Sequence, residues 1–142
     1  MKFIYDDGGR EKAGYKGSAG DCGVRAAAIA TGLPYEEVYK AINLFAKTER
    51  PRGNKPRSNS RTGIWPKTLG KFLEQHGFIW VPTMGIGTGC KVHLRETEIP
   101  QSGRVVARVS KHFTAVVDGV IHDTYNPDRN GWRCVYGYWV QS

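Results

Sequence analysis

"HFTAVVDGVIHDTY", running from His112 to Tyr125, decides the fold. Asp118-Gly119 lies between two β-rich runs, and that dipeptide supplies the positive φ angles that a two-residue hairpin turn requires. The turn sets the register, so Val117 opposes Val120, Thr114 opposes Asp123 and His112 opposes Tyr125. Side chains alternate along a strand. His112, Thr114 and Val116 therefore share one face with Ile121, Asp123 and Tyr125, and His122 points to the other. His112 and Asp123 become diagonal neighbours, roughly 7–8 Å apart at the backbone and closer at the side chains.

The strand pattern continues on both sides of this hairpin. "RVVARVS" (Arg104 to Ser110) precedes it, "RCVYGYWV" (Arg133 to Val140) closes the chain, and "FIWVPTM" (Phe78 to Met84) reads as a strand interrupted by Pro82. Upstream of Gly77 the period is helical. The pattern predicts helices from about Asp21 or Cys22 to Ala30, from about Pro34 to Lys47, and from about Trp65 to His76. Residues 1–20 are rich in glycine and are expected to be mostly irregular. Helices first and strands later define an α+β plan: N-terminal helices packed on a C-terminal antiparallel sheet, in a single domain over residues 1–142.

Composition agrees with one packed domain. The chain has 142 residues, 39% of them hydrophobic, and its 4 Trp, 7 Tyr and 5 Phe supply bulk for a core. No apolar run approaches the ~20 residues that span a bilayer, and "MKFIYDDGGREK" lacks a secretory apolar segment. A cytoplasmic protein without membrane contact is expected. Three cysteines, Cys22, Cys90 and Cys134, are too few and too odd for a disulfide framework, so reduced thiols are expected. "CKVH" (Cys90 to His93) has the spacing of half a metal site, which Cys134 and His122 would have to complete. No second tight pair exists, and no metal or other cofactor is expected. "GIGTGC" (Gly85 to Cys90) follows no clear parallel strand and reads as a flexible turn.

The net charge is +8, with a sequence pI of about 9.6, which draws the chain to polyanions or acidic surfaces. The charge is concentrated between about residues 48 and 62, where Arg50, Arg52, Lys55, Arg57 and Arg61 share a stretch with two prolines. It reads as a mobile basic loop, either simply solvated or a docking element for an acidic protein or a nucleic acid.

Cys22 gives the hairpin a chemical partner. It sits where the glycine-rich segment "GSAGDCG" (Gly17 to Gly23) becomes a helix. At a helix N-terminus the dipole and free backbone N–H groups favour a thiolate. Those N–H groups can also hold an oxyanion developing on an attacked carbonyl. An acid beside a histidine selects its tautomer and stabilises the imidazolium. Cys22 as nucleophile, His112 as base and Asp123 as orienting acid therefore form a candidate catalytic set, with Asn126 as a substitute orienter. The bland alternative is a packing cysteine and a surface histidine.

"GDCGVRAAAIATG" followed downstream by "HFTAVVDGVIHDT" resembles the papain-like cysteine peptidase superfamily. The likeness is to small peptidases related to bacteriocin-leader processing enzymes and to phage-encoded proteins with a "DCxxRA" start. The first segment also looks like the start of ovarian-tumour-type deubiquitinases. The resemblance implies a papain-like fold and a thiol protease with Cys22 as nucleophile, His112 as general base and Asp123 as orienting acid. It further implies a peptide or isopeptide bond as substrate and the cytoplasm of a bacterium or phage-infected host as setting. The family usually carries a glutamine about six residues before the cysteine. Here that position is Lys16, so an oxyanion would rely on backbone N–H groups around Gly20, Asp21 and Cys22, or on the Ser18 hydroxyl. That departure and the basic loop motivate a second reading, a weak or inactive papain-like fold serving as a basic module that binds nucleic acid or protein.

Overall fold

The computed structural model describes residues 1–16 and 19–141. Its elements in chain order are β1 (Lys2–Tyr5), α1 (Cys22–Thr31), α2 (Tyr35–Ala46), α3 (Pro66–Gln75), β2 (Phe78–Pro82), β3 (Arg104–Val109), β4 (His112–Val117), β5 (Val120–Asp123) and β6 (Val135–Gln141). The fold is α+β, with three helices and a six-stranded sheet in the order β1-β5-β4-β3-β6-β2.

The local signals act where they stand. Gly32 stops α1 in the left-handed region at φ 75°, returning its N–H to the Ala28 carbonyl. Pro66 opens α3, where its missing N–H costs no helical bond. Asp118 (φ 49°) and Gly119 (φ 79°) turn the β4–β5 hairpin, and Val117 pairs with Val120, Val116 with Ile121 and Ala115 with His122. Pro82 does not interrupt its strand but ends it, on the outer strand of the sheet where a missing donor is tolerated.

One strand corrects the expected sheet. Lys2–Tyr5 is not irregular; it pairs in parallel with β5, so the sheet is mixed rather than antiparallel and one strand precedes the helices. Contacts remote in sequence hold it there. The N–H of Asp6 donates to the Asp123 carbonyl at 2.9 Å, and the Asp6 carboxylate lies 3.1 Å from Nδ1 of His122.

The helices cover one face of the sheet. α1 runs against β4 with Val24, Ala26, Ala27, Ala28 and Ala30 all buried, while Val38 and Ile42 of α2 and Leu69, Phe72 and Leu73 of α3 close over it. An alanine-rich helix suits this central position because small side chains let it be buried on nearly all sides. The opposite face carries Val105, Ala107, Val109, Val116, Ile121 and Val135, covered by Leu94 and Ile99 from the long β2–β3 connection. Cys90 of that connection is joined to Cys134 by a disulfide, which corrects the expectation of three reduced thiols. Folding brings together two cysteines 44 residues apart, and Cys22 alone stays free. No helix among the described residues is long and apolar enough to cross a membrane.

Candidate active site

Cys22 is the first residue of α1, and its two neighbouring glycines are dictated by space. A Cβ at Gly20 would lie 2.8 Å from the Thr62 carbonyl oxygen, and one at Gly23 would lie 2.7 Å from Cδ1 of Ile64. The helix start is thereby pressed against the 62–64 segment. The Asp21 side chain does not line the cleft. Its side chain is fully buried, accepts hydrogen bonds from Arg25 one turn on and from the Tyr35 hydroxyl at 2.6 Å, and lies 3.5 Å from Arg10. Asp21 thus anchors the helix start instead of capping it. The first amides of α1, beginning with that of Cys22, keep no intrahelical acceptor.

His112 heads β4 after a tight turn in which Lys111 takes φ 54°. Its Nε2 donates to Oδ2 of Asp123 at 2.7 Å, and both side chains are buried. That bond leaves Nδ1 as the ring nitrogen free to face the thiol of Cys22, whose ionised form the His112 side chain and the Phe113 N–H both favour. Asp123 also accepts from the Thr124 N–H at 2.7 Å. His122 turns away, to Asp6.

The electrostatics of the three groups agree. Burial pushes the Cys22 thiol up, but its hydrogen bond to His112, the charge on that ring, the Phe113 N–H and the Arg25 guanidinium outweigh burial and hold it below its ordinary value. Burial pushes the His112 ring down, yet its hydrogen bond to Asp123 and the sulfur of Cys22 raise it to about 9. Burial would raise the Asp123 carboxyl, but His112 and the Thr124 N–H keep it below the usual carboxylate range. These directions favour the thiolate–imidazolium pair over the neutral thiol and imidazole.

Cys22 and His112 line a cleft of about 310 Å³ with Gly20, Thr62, Gly63, Ile64, Pro66, Arg108, Val109, Lys111, Phe113 and Tyr136. Chemically, the arrangement can support nucleophilic attack with proton return.

Other expected residues fall elsewhere. Ser18 lies outside the described residues. Asn126 is not an alternative orienter: its side chain accepts from the Asp128 N–H at 3.0 Å, and it lines a separate cavity with Met1, Arg95 and Trp132. The basic loop is tied down at several points. Buried Glu49 accepts from the N–H and hydroxyl of Ser58 and from the Thr68 hydroxyl, and Trp65 donates from its ring nitrogen to the Pro56 carbonyl at 2.9 Å. Arg57 and Arg61 turn to the carbonyls of Lys47 and Lys16, so only Arg50, Arg52 and Lys55 of the five expected cations reach a groove. Among the described residues no cluster of three or more His, Cys, Asp or Glu side chains is placed to hold a metal ion, and Cys90 and Cys134 are engaged with each other.

Sequence reasoning passed over one residue of the site, and placed another, Tyr125, on the His112 face without giving it a role. Arg25 lies between Asp21 and Asp123, with Nη2 3.7 Å from Oδ1 of Asp123, and so ties the anchor of the helix start to the acid behind His112. The Asp21–Arg25 spacing of four on a helix was the available signal. Tyr125 packs its ring against that of His112, centroids 5.1 Å apart. No family model, no curated protein and no solved structure matches the chain.

Proposed function

We propose that the protein is a cysteine hydrolase of the papain-like type, acting on a peptide or isopeptide bond through an acyl-thioester on Cys22. The observation that carries this reading is the Cys22–His112–Asp123 arrangement: a sulfur at a helix start, a buried imidazole beside it, and a carboxylate 2.7 Å behind the ring. The Cys22 thiolate attacks the carbonyl carbon and a C–S bond forms. The oxyanion gathers at the first amide of α1. The imidazolium of His112 then gives its proton to the leaving nitrogen as the C–N bond breaks. In the second half the neutral ring takes a proton from water and is imidazolium again, the hydroxide adds to the thioester carbon, and the C–S bond breaks to release the carboxylic acid and the Cys22 thiolate. Asp123 holds the ring with Nδ1 toward the sulfur and offsets its positive charge throughout.

The test is the reactivity of Cys22 toward iodoacetamide and toward peptide-based electrophiles. A free thiol is only a few per cent ionised at neutral pH, so the ion pair should raise the alkylation rate at pH 6–7 on the order of tenfold. Cys22→Ser should abolish labelling, and His112→Ala should return the rate to that of an ordinary thiol. If Cys22 of the native protein alkylates no faster than free cysteine, the hydrolase reading is wrong.

A further inference from the structure

Beside the cleft lies a larger groove, about 960 Å³, whose wall carries Arg50, Arg52, Lys55, Lys67, Lys71 and Arg108. Three separate stretches of chain supply these cations: the 49–61 loop, α3 and β3. Among the described residues none of the six forms an ion pair. The acid on the same wall, Glu49, is buried and engaged with Ser58 and Thr68. The groove is also preorganised. Trp65 receives the Lys55 ammonium 4.7 Å and the Arg52 guanidinium 5.9 Å from its ring centroid, while its backbone N–H donates to the Ser58 hydroxyl at 2.8 Å. Like charges gathered without acidic partners repel one another, and an anionic ligand relieves that cost.

The groove and the cleft adjoin. Pro66 and Arg108 line both, and Arg108 leans over the Tyr136 ring that also borders the cleft. A chain whose carbonyl rests at Cys22 advances about 3.3–3.6 Å per residue. Arg108, on the wall that the two share, is where such a chain would cross from cleft to groove. A groove of this volume takes a few residues of a single extended chain.

We infer that the groove binds an acidic stretch of the substrate polypeptide, adjacent to the bond that Cys22 attacks, and so selects substrates carrying clustered Asp and Glu on one side of that bond. This rests on the hydrolase reading above. Arg108 is the residue that couples recognition to the reacting end.

The test uses peptides with an internal vinyl sulfone, flanked on one side or the other by a run of glutamates or the same run of glutamines. For one of the two placements, the glutamate probe should label Cys22 at least about tenfold faster at low salt, and the advantage should shrink as ionic strength rises. In the Arg52→Gln/Lys67→Gln/Lys71→Gln variant, and separately in Arg108→Gln, the ratio of the two rates should fall toward one. Equal rates in the native protein for both placements, or an undiminished ratio in both variants, would overturn the assignment. A fluorescent glutamate-rich peptide, followed by anisotropy, separates this from failure of the hydrolase reading. If Cys22 labels with no probe but the peptide binds and the triple variant loses it, the groove assignment stands and the catalytic one falls. If the peptide does not bind, or if an oligothymidylate of equal charge displaces it at far lower concentration, the acidic-polypeptide assignment falls.

Discussion

Replacing Asp123 with asparagine keeps the size of the side chain but removes the charge behind His112. In the native protein the ring is raised from 6.5 to about 9, a preference of roughly 3 kcal/mol for its protonated form. Asp123 and Cys22 share that preference, against the opposing effect of burial. A hydrogen bond to a charged group contributes about 1.5–3 kcal/mol and a neutral one about 0.5–1.5. The substitution should therefore remove on the order of 1 kcal/mol, close to one pH unit. The sign follows from the stabilised form: the raised value keeps the ring protonated well above its ordinary value and loses the proton only as pH rises through about 9. In the variant that loss should come near pH 8. An NMR titration of the imidazole protons measures it, with His112→Ala assigning the resonance among the four histidines. A native midpoint near 6.5, or the same midpoint in native protein and variant, would refute the reasoning from Asp123 to His112 and with it the ion pair.

Further outcomes follow from the fold. Thiol counting with a disulfide-exchange reagent should find one reactive thiol, that of Cys22, in the folded protein and three after unfolding and reduction. Reduction of Cys90–Cys134, which closes a separation of 44 residues, should lower the urea-unfolding free energy by up to about 4 kcal/mol. Gly20→Ala places a methyl 2.8 Å from the Thr62 carbonyl oxygen and should cost about 1–3 kcal/mol in the same assay, whereas alanine at an open position would not. Burial would raise the Glu49 carboxyl, but Ser58 and Thr68 hold it below its ordinary value. Its contribution to stability is therefore present above the unfolded value of about 4.3 and is lost as pH falls through the lower folded one. Glu49→Gln should flatten the acid limb of the stability profile between about pH 5 and 3.

By itself the sequence determined whatever is written in neighbouring residues. Helical period, Gly32 and Pro66 placed α1 to α3 within a residue or two, and Asp118-Gly119 set the β4–β5 register from which the approach of His112 to Asp123 follows. Turn chemistry and periodicity are local, so they can be read locally. Tertiary structure decided the rest. The four residues of β1 are too few to show a period, and they become a parallel strand only because Asp6 finds His122 and Asp123 more than a hundred positions away. Asp21 looked like a cleft residue beside the thiol, yet Tyr35 and Arg25 draw it inside. The pairing of Cys90 with Cys134 and the meeting of loop, α3 and β3 cations along one groove depend equally on which distant segments pack together. That choice is made by burial of the whole apolar surface, which no single stretch of sequence carries.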